Sequence, residues 1–174
     1  NVLGINANDY LSNEIFFDSD YNKGKISVEE CLRKYFKVNI SDLQMQKLKE
    51  ALSSTWVLDE DVLEIINKLK DNYKLAMLSN SDLLNSENYK KKGWYTPFDV
   101  LVLSHEVGII KPDKEVYELV LRKLNLSAYE CVFIDDQKRA LAPAEGIGMK
   151  TILFKSPRSL KEELRKLGIK FHQS

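Results

Sequence analysis

This 174-residue chain is short of cysteine, proline, glycine, long apolar runs and any excess of one charge. Each shortage closes a class of function. Cys31 and Cys131 stand far apart in the chain, so neither a disulfide framework nor a spaced metal site of cysteines is available. The longest apolar runs, such as VLVL at 100–103, are far short of the ~20 residues a membrane span needs. The 26 basic side chains cancel the 26 acidic ones. No field therefore draws the chain to nucleic acid or to an anionic membrane. No charged-then-apolar leader follows Asn1, and a reducing cytoplasm is the expected location. Internal repeats and low-complexity tracts are missing too. What is present is a globular composition, 44% apolar against 30% charged, at a length that suits one domain with an insertion.

The chain changes texture near 54–58. Before it the pattern is helical. Val28, Cys31, Leu32, Tyr35 and Phe36 recur at helical spacing, and Ser27 with Glu30 forms a capping box ahead of them. A second helix starts at Ser41 and runs to about residue 53, carrying Leu43, Met45 and Leu48. After the boundary, helices alternate with short apolar runs. Helices are expected at 59–70, 82–92, 114–125, 138–146 and 159–168. Strands are expected at 74–78, 98–104, 131–135 and 150–154. Pro143 is expected to shorten or kink the helix it interrupts. Such alternation implies a parallel sheet with helices on both faces, and ligands of such sheets bind beyond the carboxyl ends of the strands.

The polar residues at those ends are of a consistent kind: Ser79, Asn80 and Ser81 after the first strand, Lys111 in the loop after the second, and Asp135 with Asp136 at the third. Hydroxyl and ammonium donors suit phosphate oxygens. Paired carboxylates suit Mg2+, which takes oxygen ligands and keeps several waters. Each residue also has a plainer reading. Ser79 is a possible cap for the next helix, Lys111 a possible surface lysine, and Asp135-Asp136 a possible N-cap and dipole partner. His105 reads as structural, Cys131 as a small core side chain, and Lys90–Lys92 as a solvated face.

The stretches LAMLSNSD (75–82), FDVLVLSHEVGIIKPDKEVYELVLRKLNL (98–126) and CVFIDDQKRALAPAEGIGMKTILF (131–154) resemble the second, third and fourth motifs of the haloacid dehalogenase-like hydrolases. GKISVEE (24–30) resembles the small helical cap of their phosphatase-like subgroup. The resemblance implies a three-layer α/β/α core over 55–174 with a mostly parallel, Rossmann-like sheet, and a helical cap over 1–54. It implies a Mg2+-dependent phosphatase of a small phosphorylated metabolite. Ser79 and Asn80 would bind the phosphoryl group, and Lys111 would neutralise its oxygens. Asp136 would hold the metal, with Asp135 beside it. The rival functions are a metal-independent 2-haloacid dehalogenase and a non-catalytic binding protein.

Two departures stand out. The acid the family places on the helix after its fourth motif is Ala140 here. The first motif, a strand ending in Asp-x-Asp that carries the nucleophile, is expected upstream of Asn1. Asp18-x-Asp20 after the run Ile15–Phe17 mimics it. That run is short for a central strand, so both aspartates are expected in a solvated cap loop.

Overall fold

The computed structural model describes residues 18–36, 41–55 and 57–170; the run Ile15–Phe17 lies outside them. Its helices are α1 (Ser19–Asn22), α2 (Val28–Phe36), α3 (Asp42–Thr55), α4 (Glu60–Lys70), α5 (Leu83–Lys91), α6 (Ser104–Val107), α7 (Lys114–Leu124), α8 (Lys138–Gly146) and α9 (Pro157–Lys166). Its strands are β1 (Ala76–Ser79), β2 (Val100–Leu103), β3 (Val132–Asp135) and β4 (Lys150–Leu153). Local chemistry sets most of these ends. The Ser27 amide donates to Glu30 Oε2 at 2.7 Å and the Glu30 amide to Ser27 Oγ at 3.1 Å, which closes the expected capping box. Asp59 caps α4 through the Val62 amide. Ser156 caps α9, where Pro157 takes the first helical position. α8 runs through Pro143 as one helix.

The described residues divide into two compact units, and chain order alone does not set the division. A helical unit joins the described residues up to Val57 with Ser79–Trp94 and Leu103–Ile110. Its apolar centre is Tyr21, Cys31, Leu32, Met45, Leu48 and Leu84. Cys31 and Leu32, two of the residues whose spacing predicts the α2 stripe, are fully buried. Leu84 of α5 joins them, which explains why a segment from beyond the 54–58 boundary belongs to this unit.

A sheet unit contains Leu58–Leu78, Tyr95–Val102 and the chain from Lys111 onward. β3 and β4 pair in parallel, Val132 opposite Lys150 through Asp135 opposite Leu153. Strand alternation sends Val132 and Ile134 to one face. There they pack with Ile152 of β4, Ile65 and Leu69 of α4, and Leu160 and Leu164 of α9. Burying each such side chain contributes about 1.5–3 kcal/mol. Phe133 points to the other face and meets Tyr117 of α7 edge-on, with ring centroids 5.2 Å apart. Helices thus cover both faces, as expected of an α/β fold. The single continuous sheet is not found among the described residues: β1 pairs with β2, β3 with β4, and no ladder joins the two pairs.

Candidate active site

In the sheet unit, β3 places Phe133 and Asp135 on the same face, two residues apart. The Lys111 side chain lies along that face. Its Nζ donates to Asp135 Oδ2 at 2.5 Å and sits 5.8 Å from the Phe133 ring centre. The pair is well buried, with Lys111 17% and Asp135 6% exposed. A charge this far from water persists only when it is paired, so the surface reading of Lys111 does not apply. Asp135 Oδ1 accepts the Gln137 amide at 2.8 Å. Both Asp135 oxygens are therefore engaged, one by a cation and one by the start of α8.

Asp136 is exposed and its carboxylate accepts no hydrogen bond among the described residues. The two neighbours in sequence consequently differ in availability: Asp135 is committed to Lys111 and Asp136 is open. No group of three or more histidines, cysteines, aspartates or glutamates is clustered for a metal among the described residues. One open carboxylate still fits Mg2+, which binds through one or two carboxylates and retains water.

Behind the pair stands Tyr117, fully buried, whose hydroxyl donates to the Ala140 carbonyl at 2.7 Å. Burial first, and then the carboxylates of Asp135 and Asp113, push its pKa to about 12. It therefore remains a donor at any ordinary pH. Sequence reasoning singled out Ala140 as a missing acid. In the structure its methyl is buried and its carbonyl anchors α7 to α8.

In the helical unit, Ser79 ends β1, half-buried, and its hydroxyl engages no group among the described residues. Asn80 follows it, exposed. The cap of α5 is Asp82, whose Oδ1 accepts the Asn85 amide at 2.9 Å, so the capping role considered for Ser79 belongs to a residue three positions on. Between them Ser81 is held on both sides. Its amide donates to Ser104 Oγ at 2.9 Å, and its carbonyl lies 3.0 Å from His105 Nδ1. A carbonyl only accepts, so that ring nitrogen carries the proton. Ser81 is one of the polar residues after the first strand, and nothing in the local sequence marks Ser104.

Asp18 corrects an expectation. It is 6% exposed rather than solvated. Its Oδ1 accepts the amides of Asp20 and Tyr21, capping α1. Its Oδ2 accepts Lys34 Nζ at 2.6 Å and the Tyr35 hydroxyl at 2.7 Å. Burial, the largest influence, raises its pKa. Lys34, the Tyr21 amide and Tyr35 together outweigh burial and bring the value down to about 2. With every lone-pair direction occupied, this carboxylate is a structural staple. Asp20 is exposed and pairs loosely with Lys25.

Comparison with known proteins supports the same class. The family described as haloacid dehalogenase-like hydrolase matches residues 8–148. The chain is 29% identical over 153 residues to the flavin mononucleotide hydrolase 1 of Arabidopsis thaliana, covering 86% of this chain and 61% of that protein. It is 41% identical over 78 residues to the bifunctional epoxide hydrolase 2 of Rattus norvegicus, covering 44% of this chain and 14% of that protein. The chain thus spans less than two thirds of either curated relative. Among solved structures, a magnesium complex of a family enzyme from Bacteroides thetaiotaomicron superposes with a TM-score of 0.75 at 23% identity, over 94% of this chain and 85% of that one.

Proposed function

The chain belongs to the haloacid dehalogenase-like hydrolases, and from that premise we propose that it serves the Mg2+-dependent hydrolysis of a small phosphorylated metabolite in the cytoplasm. The observation that carries the reading is the buried Lys111–Asp135 pair at the end of β3, with the open carboxylate of Asp136 beside it. The relative named for flavin mononucleotide hydrolysis supports a phosphoester substrate.

In this reading Asp135 holds the Lys111 ammonium in place, and the ammonium charge neutralises phosphoryl oxygens. Ser79 and Asn80 are a second set of donors suited to phosphoryl oxygens. These contacts are fixed before reaction, which is where most of the stabilisation in phosphoryl transfer arises. Asp136 would hold Mg2+, which when bound neutralises charge developing on the phosphoryl oxygens. The free carboxylate of Asp136 also argues against a metal-independent dehalogenase. Residues 1–54 serve as the helical cap that the motif resemblance implies.

In this reading the attacking carboxylate is not Asp18. Asp18 is saturated with hydrogen bonds, and residues 1–17 contain no Asp-x-Asp. That carboxylate would attack phosphorus and expel the alcohol, and water would then cleave the aspartyl phosphate. Aryl phosphate hydrolysis, measured with Mg2+, tests the proposal. Turnover is expected and should fall by orders of magnitude in Lys111→Ala. A correctly folded full-length protein that hydrolyses no phosphoester on a broad panel would leave the non-catalytic binding function in its place.

A further inference from the structure

We propose that Ser104 and His105 are positioning residues for the Ser79–Asn80 loop, which they clamp at Ser81. The inference rests on the reading that Ser79 and Asn80 donate to a phosphoryl group.

Ser104 is 1% exposed. Its Oγ accepts the Ser81 amide at 2.9 Å and donates to the Asn22 carbonyl at 2.6 Å, with the Ser81 carbonyl also within reach at 3.1 Å. One hydroxyl thereby ties together three segments: the turn after α1, the loop after β1 and the end of β2. His105 completes the hold by donating from Nδ1 to the Ser81 carbonyl at 3.0 Å. Both backbone groups of Ser81 are thus engaged by adjacent residues of another segment, and the peptide plane between Asn80 and Ser81 cannot rotate without breaking a buried bond.

The other side of the clamp is equally constrained. Gly24 has φ +68°, and a Cβ there would lie 2.5 Å from the His105 carbonyl oxygen. The turn at residues 22–24 therefore presses backbone against backbone, which only glycine permits. The hydrogen bonds that hold Ser81 resist displacement because a freed buried donor or acceptor would stay unsatisfied. The consequence for function is that the loop end is delivered in one orientation, so the donors of Ser79 and Asn80 are arranged before a substrate arrives.

The test compares Ser104→Ala, His105→Leu and His105→Asn with a core control, Ile65→Val, which loosens the sheet unit instead. In His105→Asn the side-chain amide replaces the Nδ1–H donor. The measurements are amide hydrogen exchange at Ser81, affinity for inorganic phosphate with Mg2+ present, and thermal melting. Ser104→Ala and His105→Leu are expected to speed exchange at Ser81 and weaken phosphate by about fivefold to tenfold, the worth of one hydrogen bond. His105→Asn should stay within about twofold of wild type on both, and Ile65→Val should lower melting without either change. The clamp is overturned if Ser81 exchanges no faster in His105→Leu than in the control, or if His105→Asn behaves like His105→Leu. Faster exchange with unchanged phosphate affinity would overturn the positioning role. Absence of phosphate binding by the wild type would instead sink the phosphatase reading, and the exchange measurement would then decide the clamp alone.

Discussion

Buried polar side chains are distributed unequally between the two units. Asp18, Asn22, Ser81, Asp82, Asn85, Ser86 and Ser104 all lie in the helical unit, whereas the sheet unit buries Asp135. The helical unit is assembled from chain segments far apart in sequence, and hydrogen bonds between them specify how they meet. The sheet unit closes through apolar contacts between α4, α9 and the β3–β4 pair, so it has no structural need for a charge. A single ion pair in such surroundings stabilises little compared with apolar residues of similar volume. Under the proposed function its role is chemical. Asp18 and Asp135 make the same point as individuals. Both bind a lysine and backbone amides, yet Asp18 is closed on all sides and Asp135 adjoins an open carboxylate.

The largest expected effect tests that contrast directly. Lys111→Met leaves Asp135 buried without a partner and should lower stability by about 3–5 kcal/mol in urea unfolding. Adding Asp135→Leu should recover most of the loss while phosphate hydrolysis stays abolished. If the double variant remains as unstable as the single, the pair is structural and the contrast fails.

Next in size, Leu164→Ala in the sheet unit and Leu32→Ala in the helical unit should each cost about 2–5 kcal/mol by equilibrium unfolding. Both side chains are buried, Leu164 to 1% and Leu32 to 0% exposure. Separate loss of hydrogen-exchange protection in the unit mutated would sharpen the division, and uniform loss across both would blur it.

A smaller effect is set by pH. The Asp18 pKa falls from 3.8 to about 2 on folding, so its contribution is present above the unfolded value and disappears as pH drops toward the folded one. Asp18→Asn should cost on the order of 1–2 kcal/mol at neutral pH, the lower part of the range allowing for the half-exposed Lys34. The difference in melting temperature from wild type should shrink as pH falls from about 4 to about 2. A gap that stays constant across that window would show the carboxylate charge to be irrelevant to the staple.

Smallest of all, Asp136→Ala should leave stability within about 0.5 kcal/mol, since the side chain is exposed and makes no hydrogen bond. The same variant should weaken Mg2+ at least about tenfold in calorimetric titration, because it removes the open carboxylate next to Asp135. Equal affinity in the two proteins would take Asp136 out of the site.

What the sequence determined by itself is whatever depends on neighbours within a turn or a strand. The Ser27–Glu30 capping box needs partners three residues apart, and the alternation of β3 alone sorts Phe133 and Asp135 from Val132 and Ile134. The order of elements and their class follow from the same short-range periodicities, which is why the expected and observed bounds differ by only a few residues. Tertiary structure decided what short spacing cannot encode. It buried Asp18 by bringing Lys34 and Tyr35 to it, and it drew Lys111 out of solvent onto Asp135. It made Ser104 a junction with Asn22, 82 residues away, and left the described strands as two pairs. Those outcomes depend on which groups lose water together when distant segments close. No residue carries that information in its own neighbourhood, because an aspartate or a serine has the same local signature whether its eventual partner is water or a buried donor.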